Sequence, residues 1–337
     1  MTASGSETPA GHHDPAPTPV LYIAGAGRSG STLLEGMLGA APGFAGVGEV
    51  RYIWHRAFQD NQLCSCGRPF ADCPFWHGVV RRAFGSGRVD PDRMLELRNR
   101  VDRVRHLPRL VWPRLRDDAF RDAHEEYGAV LTRLYRGMLE ASGRTVVIDS
   151  SKDAPHAYLL DSLPGIRLFV IHLVRDSRAV AYSWQRVRRR PEIHWEEAYM
   201  PTFTPSSTAS EWNRTNTWYE LLARRSHRYL RIHYEDLARD PAAALRRIRD
   251  RFGDLEPAFA QVGAAGATAP YWHSVSGNPL RFAGALPAVS LDTEWVSAMD
   301  RRSRRTVELR TLPLLARYGY LTSRRPAALT DGGAGGR

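Results

Sequence analysis

The run LYIAGAGRSGSTLL, residues 21–34, decides the fold. Leu21–Gly25 is apolar and closes on glycine, and Ser31–Ala40 carries helical character, so the segment reads as strand, glycine-rich loop and helix. Thr145–Ile148 (TVVI) and Leu168–Val174 (LFVIHLV) have the unbroken apolar character of strands buried on both faces, and Tyr229–His233 (YLRIH) is a weaker candidate. Helical stretches at Asp176–Arg189, Ser210–Arg225 and Ala242–Arg251 separate or follow them. Apolar strands alternating with helices predict an α/β fold, a P-loop-like parallel β-sheet flanked by helices. Pro91–Leu139 is helical in pattern and broken by Pro108 and Pro113. Residues 81–141 are therefore expected to form a helical insertion over the carboxyl edge of the sheet.

The 337 residues, 43% of them hydrophobic, suffice for one large domain, placed at 19–323. The Ala/Pro/Gly/His-rich start lacks the basic-then-apolar order of a signal peptide, so residues 1–18 and the Gly-rich 324–337 read as disordered tails. No apolar run reaches the length of a membrane span, and a cytoplasmic protein is expected. A net charge of +11 points to anionic ligands. Of 47 basic residues, 46 are Arg, and Lys152 is the single Lys. An Arg bias of that size reflects base composition, whereas the one retained ammonium suggests a site where guanidinium does not substitute. Residues 81–116 hold eleven Arg against four acids, which fits either a basic acceptor cleft or, more plainly, a solvated face.

Gly25-Ala-Gly-Arg-Ser-Gly-Ser-Thr32 supports three readings. Gly25, Gly27 and Gly30 match a dinucleotide fingerprint, with Glu49 at the distance of a ribose-binding acid. The stretch before Glu49, GFAGVG, is nevertheless too Gly-rich for the apolar second strand of that fold. Gly25, Gly30 and Thr32 fit a P-loop, but Ser31 stands where its Lys belongs, which weakens a kinase or nucleoside triphosphatase. In the third reading the backbone N–H groups of the loop, with Ser29, Ser31 and Thr32, cradle a single phosphosulfate, and Arg28 supplies the charge. A second anion site separates these readings. Arg175, at the end of the best strand, and Ser183, eight residues on, can converge on a remote phosphate.

These segments resemble the sulfotransferase superfamily that uses 3′-phosphoadenosine-5′-phosphosulfate (PAPS), in particular bacterial members related to tyrosylprotein sulfotransferases. Arg28-Ser-Gly-Ser-Thr-Leu-Leu34 is similar to the family's 5′-phosphosulfate loop, and Arg175–Ser183 to its 3′-phosphate motif. Gly48-Glu-Val-Arg51 resembles the segment bearing the catalytic base, and Asp149-Ser-Ser-Lys-Asp153 the segment bearing a catalytic Lys. Tyr234-Glu-Asp-Leu237 resembles the segment whose Tyr approaches the nucleotide. Ser274–Phe282 is a looser match that would bring Ser276 and Arg281 to it.

The resemblance implies transfer of a sulfuryl group from PAPS to a hydroxyl on a small molecule, glycan or peptide, leaving PAP and requiring no metal. It implies Glu49 as general base and Arg28 and Lys152 as stabilisers of the moving group, with Gly27, Ser29, Gly30, Ser31, Thr32, Arg175, Ser183 and Tyr234 holding the nucleotide. His156 is the alternative base, and Glu49 could instead cap a helix or pair with Arg51. His172, inside an apolar strand, reads as a core residue. Cys64, Cys66, Cys73 and His77 form a weak candidate for structural zinc, because Cys-x-Cys is tighter than the usual ligand spacing. A basic polyanion-binding protein without catalysis is the non-enzymatic rival, but no nucleic-acid-binding motif supports a nucleic-acid partner. Acceptor and oligomeric state are not legible.

Overall fold

The computed structural model describes residues 16–259, 273–283 and 290–321. Five parallel strands, β1 (Thr18–Ala24), β2 (Phe44–Gly48), β3 (Val146–Asp149), β4 (Ile166–Val174) and β5 (Tyr229–His233), lie in the order β2-β3-β1-β4-β5. The N-terminal helices are α1 (Ser31–Gly39), α2 (Pro74–Phe84), α3 (Pro91–Val101), α4 (Leu107–Val111), α5 (Asp118–Ser142) and α6 (Ala154–Asp161). They are followed by α7 (Ser177–Gln185), α8 (Pro205–Ala223), α9 (Tyr234–Arg239), α10 (Pro241–Arg251), α11 (Glu256–Phe259), α12 (Glu294–Ala298) and α13 (Arg301–Arg317). The α/β expectation holds. The expected tails lie outside the described residues except for residues 16–18, of which Thr18 already belongs to β1.

Side chains alternate across the strands, and both faces are covered. Val20, Tyr22, Val147 and Val170 pack under α5 and α6, whereas Leu21, Ile23, Phe169 and Ile171 pack under α1, α9 and α10. Asp117 caps α5 by accepting the Phe120 N–H at 2.9 Å, and Gly143 ends it in the left-handed region at φ +62°. Between these caps Phe120, Ala123, Tyr127, Leu131, Leu134 and Met138 recur at helical spacing and face the core.

Two expectations need correction. The helical insertion does not roof the carboxyl edge. Its long helix α5 lies on a face of the sheet, because its apolar stripe needs a surface of that length to bury it. At the edge the end of α3 brings Asp102 to Arg51 and His156, and α5 contributes the Tyr135 hydroxyl, which donates to Asp149. Secondly, GFAGVG does form a strand, β2, at the sheet edge beside β3. Its glycines serve a close approach: the returning segment at residues 273–276 lies along it, with His273 N–H donating to the Gly46 carbonyl at 3.0 Å and Val275 N–H to that of Val47 at 3.3 Å. A Cβ on Gly48 would sit 1.9 Å from Ser274 Oγ. Among the described residues, no helix is long and apolar enough to cross a membrane.

Candidate active site

β1 sits in the middle of the sheet, so the loop after it opens at the carboxyl edge, where ligands bind in open parallel sheets. Gly25, at φ +132°, passes so close to β4 that a Cβ there would lie 2.3 Å from the Leu173 carbonyl oxygen. Gly30 precedes α1 at φ +94° with no side-chain cap, and the first turn of α1 carries no acid. The helix therefore presents unpaired N–H groups and the positive end of its dipole to the loop. Ser29, Ser31 and Thr32 are buried there, and Ser29 Oγ has no hydrogen-bond partner among the described residues. Arg28 itself lies in the left-handed region at φ +69°, its guanidinium 4.6 Å above the Trp184 ring. Burial, with the Arg188 and Arg175 charges, lowers its pKa to about 10 against the opposing pull of Glu49.

Arg175 ends at the same place. Its Nη1 donates to the Arg28 carbonyl at 2.9 Å and its Nη2 to Asp292 Oδ2 at 2.7 Å. The Tyr234 ring lies 4.4 Å beneath the guanidinium, and its other edge meets Gly30, where a Cβ would come within 2.6 Å of the ring. Three segments separated by about 150 and 60 residues thus converge on one spot. Ser183 is buried on α7, two turns from the helix start, and no hydrogen bond joins it to Arg175 among the described residues.

Glu49 follows β2, and Lys152 follows β3, so adjacent parallel strands deliver both to one edge. Lys152 Nζ donates to Glu49 Oε1 and to the Ser150 carbonyl, both at 2.6 Å. Lys152 has φ +60°, so both sequence-predicted cations of the reaction sit in strained backbone. Ser276 Oγ donates to Glu49 Oε2 at 2.8 Å, and the Arg56 guanidinium stands 3.8 Å from the same oxygen. Burial pushes the Glu49 carboxyl up, but Lys152, Arg56 and the two hydrogen bonds outweigh it and hold the group below its ordinary value. Glu49 neither caps a helix with its side chain nor pairs with Arg51, which binds Asp102 and Asp153 instead.

The alternative base is not in place. His156 is fully buried, its Nδ1 3.0 Å from Asp102 Oδ2 and its Nε2 3.2 Å from the Tyr135 hydroxyl, which donates to Asp149. Burial opposes its charge, but the two carboxylates prevail and raise it to about 9. Both its ring nitrogens are engaged, tying the insertion to α6 and leaving neither open to an acceptor hydroxyl. His172 is the expected core residue, bonded to Tyr229 and Asn216, and burial lowers its pKa to about 4. Arg281 is buried under the late loop, donating to the Ser274 carbonyl at 2.9 Å and lying 3.9 Å from Glu192.

Sequence reasoning missed Glu35, an acid buried within the apolar STLLEGMLG helix. It accepts the Gly48 N–H and the Ser150 hydroxyl, each at 2.7 Å, and so joins the two strand ends that carry Glu49 and Lys152. Burial pushes its carboxyl up to about 7. A lone acid inside a helix that is otherwise free of charge was the available signal.

The sequence model of the sulfotransferase family matches residues 19–256, most of the chain. The chain belongs to the sulfotransferase family. No curated protein matches it in sequence. Among solved structures it is similar to the sulfotransferase domain from the Synechococcus PCC 7002 olefin synthase, with 21% identity, TM-score 0.49, 91% of this chain and 97% of that one. It is also similar to the sulfotransferase domain from the curacin biosynthetic pathway, at 15% identity and TM-score 0.45, covering 91% and 99% of the two chains. Sulfotransferase STF9 from Mycobacterium avium follows at 12% identity and TM-score 0.41, covering 90% and 77%.

In this sulfotransferase a cleft of about 460 Å³ opens beside Arg56, lined by Tyr52, Arg98, Arg190 and Trp195 among others. The Arg-rich stretch 81–116 contributes only Arg98 to it. Arg93, Arg100 and Arg109 form ion pairs on the surface, so the solvated-face reading fits that stretch best. The zinc candidate also changes: His77 is exposed on α2, and the imidazole that meets the three cysteine sulfurs belongs to His273.

Proposed function

We propose that this sulfotransferase carries the sulfuryl group of PAPS to a hydroxyl acceptor, with Glu49, Lys152 and Arg28 performing the chemistry. The observation that carries the reading is the junction of the two anion-binding segments, where Arg175 bonds the Arg28 carbonyl and Tyr234 touches both Arg175 and Gly30. A ligand with anions at both ends of a nucleoside suits such a junction. Ser29 Oγ, Arg28 Nε and Arg175 Nε are buried donors without a protein partner among the described residues, each costing about 1–3 kcal/mol if left unpaired. An anionic ligand offsets that cost.

PAPS supplies an activated sulfuryl group whose leaving group is PAP. Glu49, kept ionised by Lys152 and Arg56, takes the proton of the acceptor hydroxyl as its oxygen bonds to sulfur. Lys152 has three N–H donors, of which Glu49 and Ser150 engage two, leaving one for the bridging oxygen as its bond to sulfur breaks. Arg28, with the Ser29 hydroxyl and the N–H groups of Gly27 and Gly30–Thr32, receives the negative charge spread over the sulfuryl oxygens. Arg175 and Ser183 hold the 3′-phosphate, and Tyr234 packs against the nucleotide. Ser276 and Arg281, expected on the nucleotide, are engaged by Glu49 and by the Ser274 carbonyl. We assign them to positioning Glu49 and its covering loop. The acceptor enters by the cleft beside Arg56.

The test has two arms. PAP should raise the melting temperature of the protein where ATP–Mg²⁺ does not, and label from PAPS should appear on one of a panel of alcohols and phenols. Stabilisation by ATP–Mg²⁺ alone would restore the kinase reading. Steeply salt-dependent binding of unrelated nucleic acids, unaffected by PAP, would restore the polyanion binder.

A further inference from the structure

Cys64 and Cys66 sit in a tight turn in which the Cys64 N–H donates to the Arg68 carbonyl and the Gly67 N–H to the Cys64 carbonyl, both at 2.8 Å. Cys73 stands at the start of α2, and His273 comes from 200 residues downstream. The three sulfurs and one imidazole nitrogen of these residues all lie within 4.8 Å of one another. Cys64 and Cys73 Sγ are 3.8 Å apart, and Cys66 and Cys73 Sγ 3.6 Å. His273 Nδ1 lies 3.7 Å from Cys64 Sγ and 3.3 Å from Cys73 Sγ.

The four sulfur–sulfur and sulfur–nitrogen separations of 3.3–3.8 Å are close to edges of a metal tetrahedron. With Zn–S of about 2.3 Å and Zn–N of about 2.0–2.1 Å, tetrahedral angles put two sulfurs about 3.8 Å apart and a sulfur and nitrogen about 3.5–3.6 Å apart. The imidazole is also oriented from outside the cluster. The Phe75 ring stacks on it at 4.7 Å, and Trp76 Nε1 donates to the His273 carbonyl at 2.8 Å. The tight Cys-x-Cys spacing ceases to be an objection, because the remaining two ligands come from a helix start and a distant segment and not from a second turn.

We propose that Cys64, Cys66, Cys73 and His273 bind one structural Zn²⁺ as a closed Cys₃His site. The three thiols lose their protons on binding, so the site carries a net charge of −1. Four protein ligands leave no open position, which makes the ion structural and keeps it out of the sulfuryl transfer. Its effect is to pin the returning segment. His273 begins the segment that runs along β2 and ends at Ser276, which donates to Glu49, so the metal fastens the loop over the carboxylate to the 62–76 region. The proposal stands on sulfur and nitrogen geometry and is independent of the donor nucleotide.

The test is elemental analysis of the full chain, purified without chelators and with any affinity tag removed. About one zinc per chain is expected, and the Co²⁺-substituted protein should show sulfur-to-cobalt charge transfer with tetrahedral d–d bands. Cys66→Ser is the informative variant, since Cys66 is exposed and its loss leaves the core intact. Losing a direct ligand should weaken zinc binding more than about 100-fold, beyond the cost of losing an outer hydrogen bond to a ligand. His273→Ala should also lose the metal, and His77→Ala should keep it. A reduced wild-type chain that holds no zinc and takes up neither zinc nor cobalt overturns the proposal. So does a native mass two hydrogens low, marking a disulfide, or retention of full zinc by His273→Ala.

Discussion

Replacing Lys152 by Ala isolates the charge on which the proposed chemistry depends. The ammonium makes two bonds of 2.6 Å, and both partners of its ion pair are only 13% exposed. Truncation leaves Glu49 with Ser276 at 2.8 Å and Arg56 at 3.8 Å, so the buried carboxylate keeps part of its support. We therefore expect a stability loss of about 2 kcal/mol, below the ~3–5 kcal/mol of a fully buried broken pair. Catalysis should suffer more, by at least about 100-fold in kcat, comparable with removing one preorganised oxyanion donor. Glu49 should also titrate higher. Its lowered pKa means that the ion pair contributes above the ordinary carboxylate value and is lost as pH falls through the folded one. Without Lys152 the acid limb of kcat/KM should move to higher pH. The assay is label transfer from PAPS to the best acceptor of the panel, measured across pH. Lys152→Gly is the control, because it relieves the φ +60° strain yet removes the same charge. It should be more stable than Lys152→Ala and equally slow. Turnover within about threefold of wild type with an unmoved acid limb would refute the reasoning, as would rescue by glycine.

Arg175→Ala should raise the KM for PAPS and the Kd for PAP at least about 30-fold while kcat changes little, because the 3′-phosphate does not react; unchanged PAP affinity by calorimetry removes Arg175 from the site. Asp292→Asn should tighten PAP about fivefold, since the 2.7 Å ion pair to Arg175 competes with the phosphate and partly exposed pairs are worth about 1 kcal/mol; weaker binding contradicts that competition. Gly30→Ala should cost about 2 kcal/mol in denaturation and abolish PAP binding, because its Cβ meets Tyr234 at 2.6 Å in a left-handed backbone; a wild-type Tm and Kd rule it out. His156, raised to about 9, contributes stability that is complete below the unfolded value near 6.5 and lost as pH rises through the folded one. That is at most about 3 kcal/mol. The stability of His156→Gln should be flatter over that window, and a slope equal to wild type would show that the imidazole is neutral.

The sheet was legible because apolar strand runs and helical periods leave few alternatives, and β5 falls on its expected span at Tyr229–His233. β2 was not legible, since strand propensity penalises glycine. The reason FAGVG must be small, the segment at residues 273–276 lying on it, comes from more than 200 residues away. The long helical stretch was legible as helix and misplaced in space, because periodicity reveals that α5 has an apolar stripe and not which surface will cover it.

The same division runs through the candidate site. Arg28 and Arg175 were singled out from the glycine loop and the strand that precede them, whereas the catalytic roles of Glu49 and Lys152 came from the resemblance; parallel strands bring all four positions to one edge. What could not be read were the partners that set their chemistry: Glu35 joining Gly48 to Ser150, Ser276 on Glu49, and Asp292 on Arg175. His77 was chosen over His273 because proximity in sequence was the only distance available. The structure replaces it with a residue whose backbone is already fixed beside β2. Glycines in the second strand, Ser276 on the carboxylate and His273 among the cysteines therefore have one cause. A single return of the chain covers the sheet edge where Glu49 emerges, and each of the three is required by how closely that return is held.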